Sequence, residues 1–426
     1  MKQSRKMSFV CAALVGAAAL LGCGGGDDDT PVTITIAGPN AVTQWNEIAA
    51  TTINLPPATT GTAEEQRPNI SVDLATVQVA VYDAVMAIAG THRPFAITPT
   101  APAAGASPEA AVAAAAYGVL SGLFPSRGAA YQSAYDAYLA TLPDGKAKTL
   151  GLAVGAEVAA GILALRAADG RMVTLAPYVA GAAPGQFRGT NPVGRPNPFI
   201  KPFVLTSNAQ FRAPGPPALT STAYAADVNE TKALGSATST TRTAEQTETA
   251  RFHTEPPPNF WPRNMRNFAM TARSLPEQAR LMAMIWVAQA DAGNACFESK
   301  YFYQSWRPAS AIVLDGDGNA ATVADPAWAP VVPTPNHPEY PAAHSCVSAA
   351  MGEVLRSYYG TADVTFDMTS MVTGSSHHFT TTTALVDEVQ IARIAGGMHF
   401  RTSTVEGEVL GRKVAQWIVA NRFKPR

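Results

Sequence analysis

Behind Ser107 come three stretches dominated by alanine and punctuated by glycine, roughly 108–123, 127–141 and 145–168. Alanine is the strongest helix former and carries almost nothing to hold neighbouring helices apart. The stretches therefore read as closely packed helices, the first capped by the Ser107 hydroxyl. Upstream, 40–53 and 71–89 also have helical spacing, with Val77, Val81, Tyr82, Val85 and Ile88 on one face of the second. Strand signals are scarce throughout. The expected fold is all-α: packed helical bundles, with a helical region over 40–170 and a second over 221–426. Between them, 171–220 is rich in proline and glycine, which deny it regular structure. Phe187, Phe199, Phe203 and Phe211 lie along it, favouring an ordered lid over a linker.

The chain has 426 residues, long enough for two packed units or one large helical body. Its formal net charge of −1 leaves no basic footprint for nucleic acid. Residues 1–22 read as an export signal: Lys2, Arg5 and Lys6, then the short apolar run Ser8–Leu21. Leu20-Leu21-Gly22-Cys23 resembles a bacterial lipobox, which makes Cys23 the lipidation site, residues 23–39 a flexible tether, and the periplasmic face of a membrane the expected location. An ordinary cleaved signal is the alternative. Of the other cysteines, Cys296 and Cys346 flank the chemistry described next. In an oxidising compartment they are either a disulfide or two buried thiols.

That chemistry lies between Lys300 and His399. The helix opened by Ser274-Leu275-Pro276-Glu277 delivers Lys300, and Arg307-Pro308 follows seven residues on. If the helix persists to Trp306, the two cations share a face. Then Pro338-Glu339-Tyr340-Pro341-Ala342-Ala343-His344 leads into a helix over about 344–359, whose free N–H groups, such as those of Ala343 and His344, would meet an anion. Last, Arg393 and His399 sit six residues apart around Gly396-Gly397. Three cations and two imidazoles without acidic metal ligands point to a pocket for a tetrahedral oxyanion. Each block alone is weak, and a lone Lys-x6-Arg is commonly a solvated face; the ordered set of three is specific.

The blocks resemble the type 2 phosphatidic acid phosphatase superfamily, with its Lys-x6-Arg-Pro, Pro-Ser-Gly-His and Ser-Arg-x5-His-x3-Asp pattern. Asn40-Ala41-Val42, Tyr82-Asp83-Ala84-Val85, Arg242-Thr243-Ala244-Glu245-Gln246-Thr247 and His337-Pro338-Glu339-Tyr340-Pro341 look more like its exported bacterial vanadium-dependent haloperoxidase branch. The resemblance implies vanadate as cofactor, with hydrogen peroxide and halide as small-molecule substrates. It assigns Lys300, Arg307, Arg393 and the Ala343 backbone to the oxyanion. His399 becomes the vanadium ligand, or the nucleophile toward phosphorus, and His344 the acid–base partner. His337 stands where bromoperoxidases of the family carry a second histidine, and Phe297 at an aromatic position on the halide side. Both favour bromide or iodide over chloride; the bland reading of His337 is a surface loop residue. His377 and His378, in a Ser/Thr-rich stretch, read as structural.

Several positions depart from the pattern. Ala342 replaces the serine that bonds an oxyanion oxygen, a loss of ~1.5–3 kcal/mol unless Ser345 or water substitutes. Ala343 replaces glycine and Ala392 replaces serine. Ser403 stands in place of the aspartate that orients the phosphatase nucleophile. Two alternatives therefore accompany the peroxidase reading: an exported acid phosphatase using His399, and a lipoprotein that binds oxyanions without turnover.

Overall fold

The computed structural model describes residues 30–55 and 69–426; the expected export signal, Cys23 and the start of the expected tether lie outside the described residues. The tether expected to run to Pro39 ends sooner. Val32–Thr33 forms strand β1, pairing in parallel with Val364–Thr365 of β2 (Val364–Thr369). β2 pairs antiparallel with β3 (Ser376–Phe379), in the register Phe366↔Phe379 and Met368↔His377. This small three-stranded sheet is the main departure from the all-helical expectation.

The first bundle comprises α1 (Ala41–Ile53), α2 (Ile70–Ala89), α3 (Pro108–Leu123), α4 (Gly128–Leu139) and α5 (Lys146–Arg166). Small residues set its packing. A Cβ on Gly155 of α5 would lie 2.4 Å from the Ala111 carbonyl of α3, so the two backbones approach as only glycine permits. By length and apolarity α2 and α5 would pass for membrane spans, but α2 is a core helix packed against α1, α3, α5 and α9.

The second group comprises α6 (Thr222–Gly235), α7 (Ala244–Phe252), α8 (Pro257–Arg266), α9 (Leu275–Tyr303), α10 (Pro308–Ala311), α11 (Ala343–Tyr359), α12 (Thr382–Ala395) and α13 (Arg401–Asn421). α9 is the post of the whole molecule. It packs on α2 of the first bundle and on α11 and α13 of the second. Ser274 and Glu277 form a capping box at its start, as the sequence implies. Gly411 brings α13 hard against α11, where an added Cβ would lie 2.1 Å from the Cys346 carbonyl. The helices that carry His344 and follow His399 are thereby locked together.

Residues 171–220 contain no α-helix, only a short 3-10 turn at Asn197–Phe199, yet they are tied down. Buried Asp291 of α9 accepts from the Phe203, Val204 and Leu205 N–H groups at 2.7, 2.8 and 3.2 Å. Arg171 is held by Asp73 and Asp169. Polar anchors do here what apolar periodicity does for a helix.

Candidate active site

Lys300 and Arg307 reach the same pocket by a route unlike the expected one. α9 ends at Tyr303, where Gln304 takes a left-handed conformation (φ 48°), and Arg307 is extended. Pro308 does not stop a helix but opens α10 at its first turn. The two cations therefore converge through a chain reversal, not along one helical face.

Lys300 is fully buried, its Nζ donating to the Pro338 and Glu339 carbonyls at 2.9 and 2.8 Å. Arg307 donates from Nε to the His337 carbonyl (2.8 Å), and from Nη1 to the Met398 carbonyl (2.8 Å) and to His399 Nε2 (3.0 Å). Arg393, near the end of α12, donates from Nη1 to the His253 carbonyl at 3.0 Å, while its Nε has no partner. Between Arg393 and α13 the chain turns through Gly397 at φ 75°, as the paired glycines imply.

Burial costs each of these cations dearly, and each raises the cost for the next. Desolvation holds Lys300 down to about 8, Arg307 to about 10 and Arg393 to about 9; Arg307 adds to the fall of the other two. Burial likewise drives His344, His337 and His399 well below the ordinary histidine value, with the neighbouring cations adding to it. This is a dry pocket with surplus positive charge. A buried dianion would relieve it.

The residue that sequence reasoning missed is Glu339. Its carboxylate, 2% exposed, accepts from His399 Nδ1 at 2.8 Å and from the Phe400 N–H at 3.1 Å. With Nδ1 bearing the proton, the Nε2 lone pair of His399 faces Arg307 and the pocket. Ser403, at the family's aspartate position, lies 3.4 Å from the same Nδ1, so the orienting task has passed to Glu339. Burial pushes Glu339 up to about 7, against the pull of Lys300 and Arg307. The only signal in the sequence was a carboxylate between two prolines. His253 was also missed: its carbonyl holds Arg393, its Nδ1 is buried without a partner, and its charge bears on His344. Nothing in its local sequence marks it.

Ala342 is the N-cap of α11 and offers no side-chain bond to the first turn. Ser345, the expected substitute donor, is fully buried with its hydroxyl unpartnered, and its Cβ faces Gly407 of α13. His337 is not a surface residue: it is 8% exposed, its ring 3.0 Å from Arg307 Nη2 and 5.0 Å, centre to centre, from Phe297. Cys296 and Cys346 are neighbours, but as free buried thiols, so the disulfide alternative is not the state of this structure. His377 and His378 lie on β3, tied to Glu248, Glu388 and Asp367 rather than sitting in a loop.

Three observations mark the pocket as fit for vanadate: the cluster of desolvated cations, the unanswered Arg393 Nε, and an uncapped helix N-terminus. Comparison with known proteins agrees. Residues 280–424 match the family described as VCPO second helical-bundle domain. Vanadium chloroperoxidase of Curvularia inaequalis is 30% identical over 123 residues, 24% of this chain and 20% of that protein. A crystal structure of a bacterial vanadium-dependent iodoperoxidase superposes with a TM-score of 0.70 at 22% identity, covering 92% of this chain and 99% of that one. Residues 280–424 thus resemble that helical-bundle family, and over most of its length the chain has the fold of the solved bacterial enzyme. A holo-type bacterial vanadium-dependent chloroperoxidase gives 0.65 at 15% identity, over 89% and 95% of the two chains. At such identities the solved structures speak for the fold alone. The Curvularia protein is matched over only a fifth of its length.

Proposed function

We propose that the chain is a vanadate-dependent peroxidase that oxidises halide, bromide or iodide rather than chloride, with hydrogen peroxide. One observation carries the reading: His399 is held by Glu339 with Nε2 toward Arg307, in a buried cluster where Lys300 and Arg393 also act on its ring. Those three cations and the Ala343 N–H would hold vanadate's oxygens, with His399 Nε2 toward the metal. Bound vanadate would supply a Lewis-acid centre that activates peroxide. His344, kept neutral by burial and the surrounding cations, is suited to taking a proton from incoming peroxide and returning it to a leaving oxygen. The depth of the site excludes bulk water, which strengthens every charge interaction inside it. The contact of buried His337 with Phe297 supports a halide-side role for the pair.

The same geometry favours a second reading, an exported acid phosphatase. By orienting His399, Glu339 supplies what Ser403 lacks, so His399 Nε2 could attack phosphorus while His344 protonates the leaving oxygen. One assay set divides the readings. Bromide or iodide oxidation that rises with added orthovanadate supports the peroxidase. Aryl-phosphate hydrolysis inhibited by vanadate, without halide oxidation, replaces it with the phosphatase. Vanadate binding with neither turnover leaves an oxyanion-binding protein. We further infer attachment to the periplasmic face of a membrane through lipid on Cys23. Cys23→Ala should release the protein into the soluble fraction, and unchanged membrane retention would refute that.

A further inference from the structure

We propose that the basic end of the molecule docks on an anionic phospholipid surface and holds the active-site end turned away from it. The inference extends the Cys23 attachment proposed above and is tested without it. At this end residues 91–93 and 424–426 run side by side. His92 bridges Pro425, the Arg93 N–H donates to the Lys424 carbonyl at 2.8 Å, and the Arg426 N–H donates to the Thr91 carbonyl at 3.2 Å. The ribbon carries Arg93, Lys424 and Arg426, all exposed, and exposed Arg422 stands just before it. Arg280 of α9 joins them, its Nε donating to the Phe423 carbonyl at 3.2 Å. Glu277, the carboxylate that bears on Arg280 and His92, is committed to Arg273 at 3.4 Å and to Ser274. The formal net charge of −1 for the whole chain hides this concentration of cations.

Beside Arg422 the surface is amphipathic. Arg422 and Lys201 line a cleft of ≈ 320 Å³ together with Phe95, Phe203 and half-exposed Leu165. The Arg422 guanidinium lies 5.6 Å from the centre of the Phe95 ring. No Asp or Glu lines the cleft. Buried Asp83 and Asp291 lie behind its aromatic walls, but each is taken up by backbone N–H groups, of Ala96 and Ile97 and of Phe203 and Val204. Cations beside aromatic and aliphatic surface suit a phosphate headgroup and the first carbons of its acyl chains.

The place of this end in the fold favours a membrane as the occupant. α9, α11 and α13 carry the proposed chemistry at one end and the basic face at the other. In α9 the helical rise from Arg280 to Lys300 is about 30 Å. α11 begins at His344's neighbour Ala343, and Tyr358 near its end lies under the Arg280 guanidinium, 5.3 Å from the ring centre. α13 begins just after His399 and ends at Asn421. Strand β1 enters on the basic side, Val32 pairing with Val364 shortly beyond the end of α11. From Cys23 to Thr30 an extended chain spans at most about 25 Å. Lipid on Cys23 would therefore bring the basic end to a bilayer, with the cleft beside His344, which Asn69 and Ser71 at the start of α2 also line, at the far end. At physiological salt the charges orient an anchored molecule without replacing its anchor.

The test is sedimentation of the full chain carrying Cys23→Ala, which takes no lipid there, with vesicles at low ionic strength. It should bind vesicles of equal parts phosphatidylglycerol and phosphatidylcholine far more tightly than phosphatidylcholine alone. Raising the salt to about 0.5 M should release it, because screening shortens the reach of the attraction. Replacing Arg422, Lys424 and Arg426 together by Ala should weaken binding about a hundredfold, at roughly fivefold per cation. Arg188→Ala with Arg195→Ala, near Gln304 at the opposite end of α9, should change nothing. On vesicles, amide exchange should slow over 91–95 and 421–426 and stay unchanged around His344. Should the triple variant misfold, Arg93→Glu at its exposed site should weaken binding by itself. Equal binding to both vesicle types, variants that bind as before, or protection at His344 would overturn the proposal. Duplex DNA held as tightly at the same salt would also overturn it, by making the partner a nucleic acid. Cys23→Ala protein that stays on cell membranes at high salt refutes the lipid site alone; absent vesicle binding refutes the docking alone.

Discussion

Two histidines in this protein make nearly the same contact, yet their imidazoles are shifted in opposite directions. His399 Nδ1 lies 2.8 Å from Glu339, and His377 Nδ1 lies 2.8 Å from Glu388. His377 has a second carboxylate, Glu248, 2.7 Å from Nε2, and stacks on Phe252 with ring centres 3.7 Å apart. Burial alone would lower His377, but hydrogen bonds and charge from Glu388 and Glu248 outweigh it and raise the imidazole. Glu388, bonded by two histidines, falls to about 2 despite burial. Around His399 burial is complete and cations prevail, so the imidazole falls and Glu339 rises to about 7. One pair is a strap joining α7, β3 and α12; the other keeps an imidazole among buried cations. The contact alone does not distinguish them, whereas the charges within a few ångströms do.

Disturbing the two regions should give different failures, the largest in the dry one. Arg393→Ala removes a buried cation from the proposed oxyanion site and should weaken vanadate binding by about 3 kcal/mol or more, read by titration; retained affinity would refute the site. Glu339→Gln keeps an acceptor for His399 Nδ1 but loses its charge. Activity is expected to fall about tenfold or more, with the fold intact by circular dichroism. Glu339→Ala should be worse, since Nδ1 is then freed to lose its tautomer.

At His377 the loss should be in stability and should depend on pH. Its folded pKa lies above the unfolded 6.5, so its contribution is full below 6.5 and fades as pH rises through the folded value. His377→Gln should therefore lower the melting temperature most near pH 5–6 and least in alkaline buffer, with vanadate affinity unchanged. A pH-independent loss would break the comparison.

Two smaller effects sharpen it. Lys300 loses its charge near 8 in the ligand-free pocket, so affinity for sulfate, whose own charge is constant there, should decline as pH rises past that value. A flat profile from neutral pH upward would mean that Lys300 keeps its charge in the ligand-free pocket, against the depressed value. Ala342→Ser would restore a hydroxyl at the α11 N-terminus, with a gain in vanadate affinity of roughly 0.5–1.5 kcal/mol.

The local sequence determined the helices. Ser107, the alanine runs and the Ser274/Glu277 capping box mark starts and faces that the structure reproduces, because helix propensity and capping act within a few residues. The cationic blocks were also legible as residues that would come together, and they do so in one buried cluster. The route between Lys300 and Arg307 was not, since a left-handed Gln304 carries no strong signal beside an otherwise continuous helical pattern. The small sheet was hidden for a similar reason: β1 has two residues and is held by its partner strand.

What the sequence determined by itself, then, is the helical body and the residue types able to surround an oxyanion, because periodicity and side-chain chemistry are local properties. Only the tertiary structure decided that Glu339 rather than Ser403 orients His399, that His337 is buried on Arg307, and that Cys296 and Cys346 face each other as thiols. Those outcomes depend on which distant groups share a desolvated volume, and burial and Coulomb interaction act through space, not along the chain.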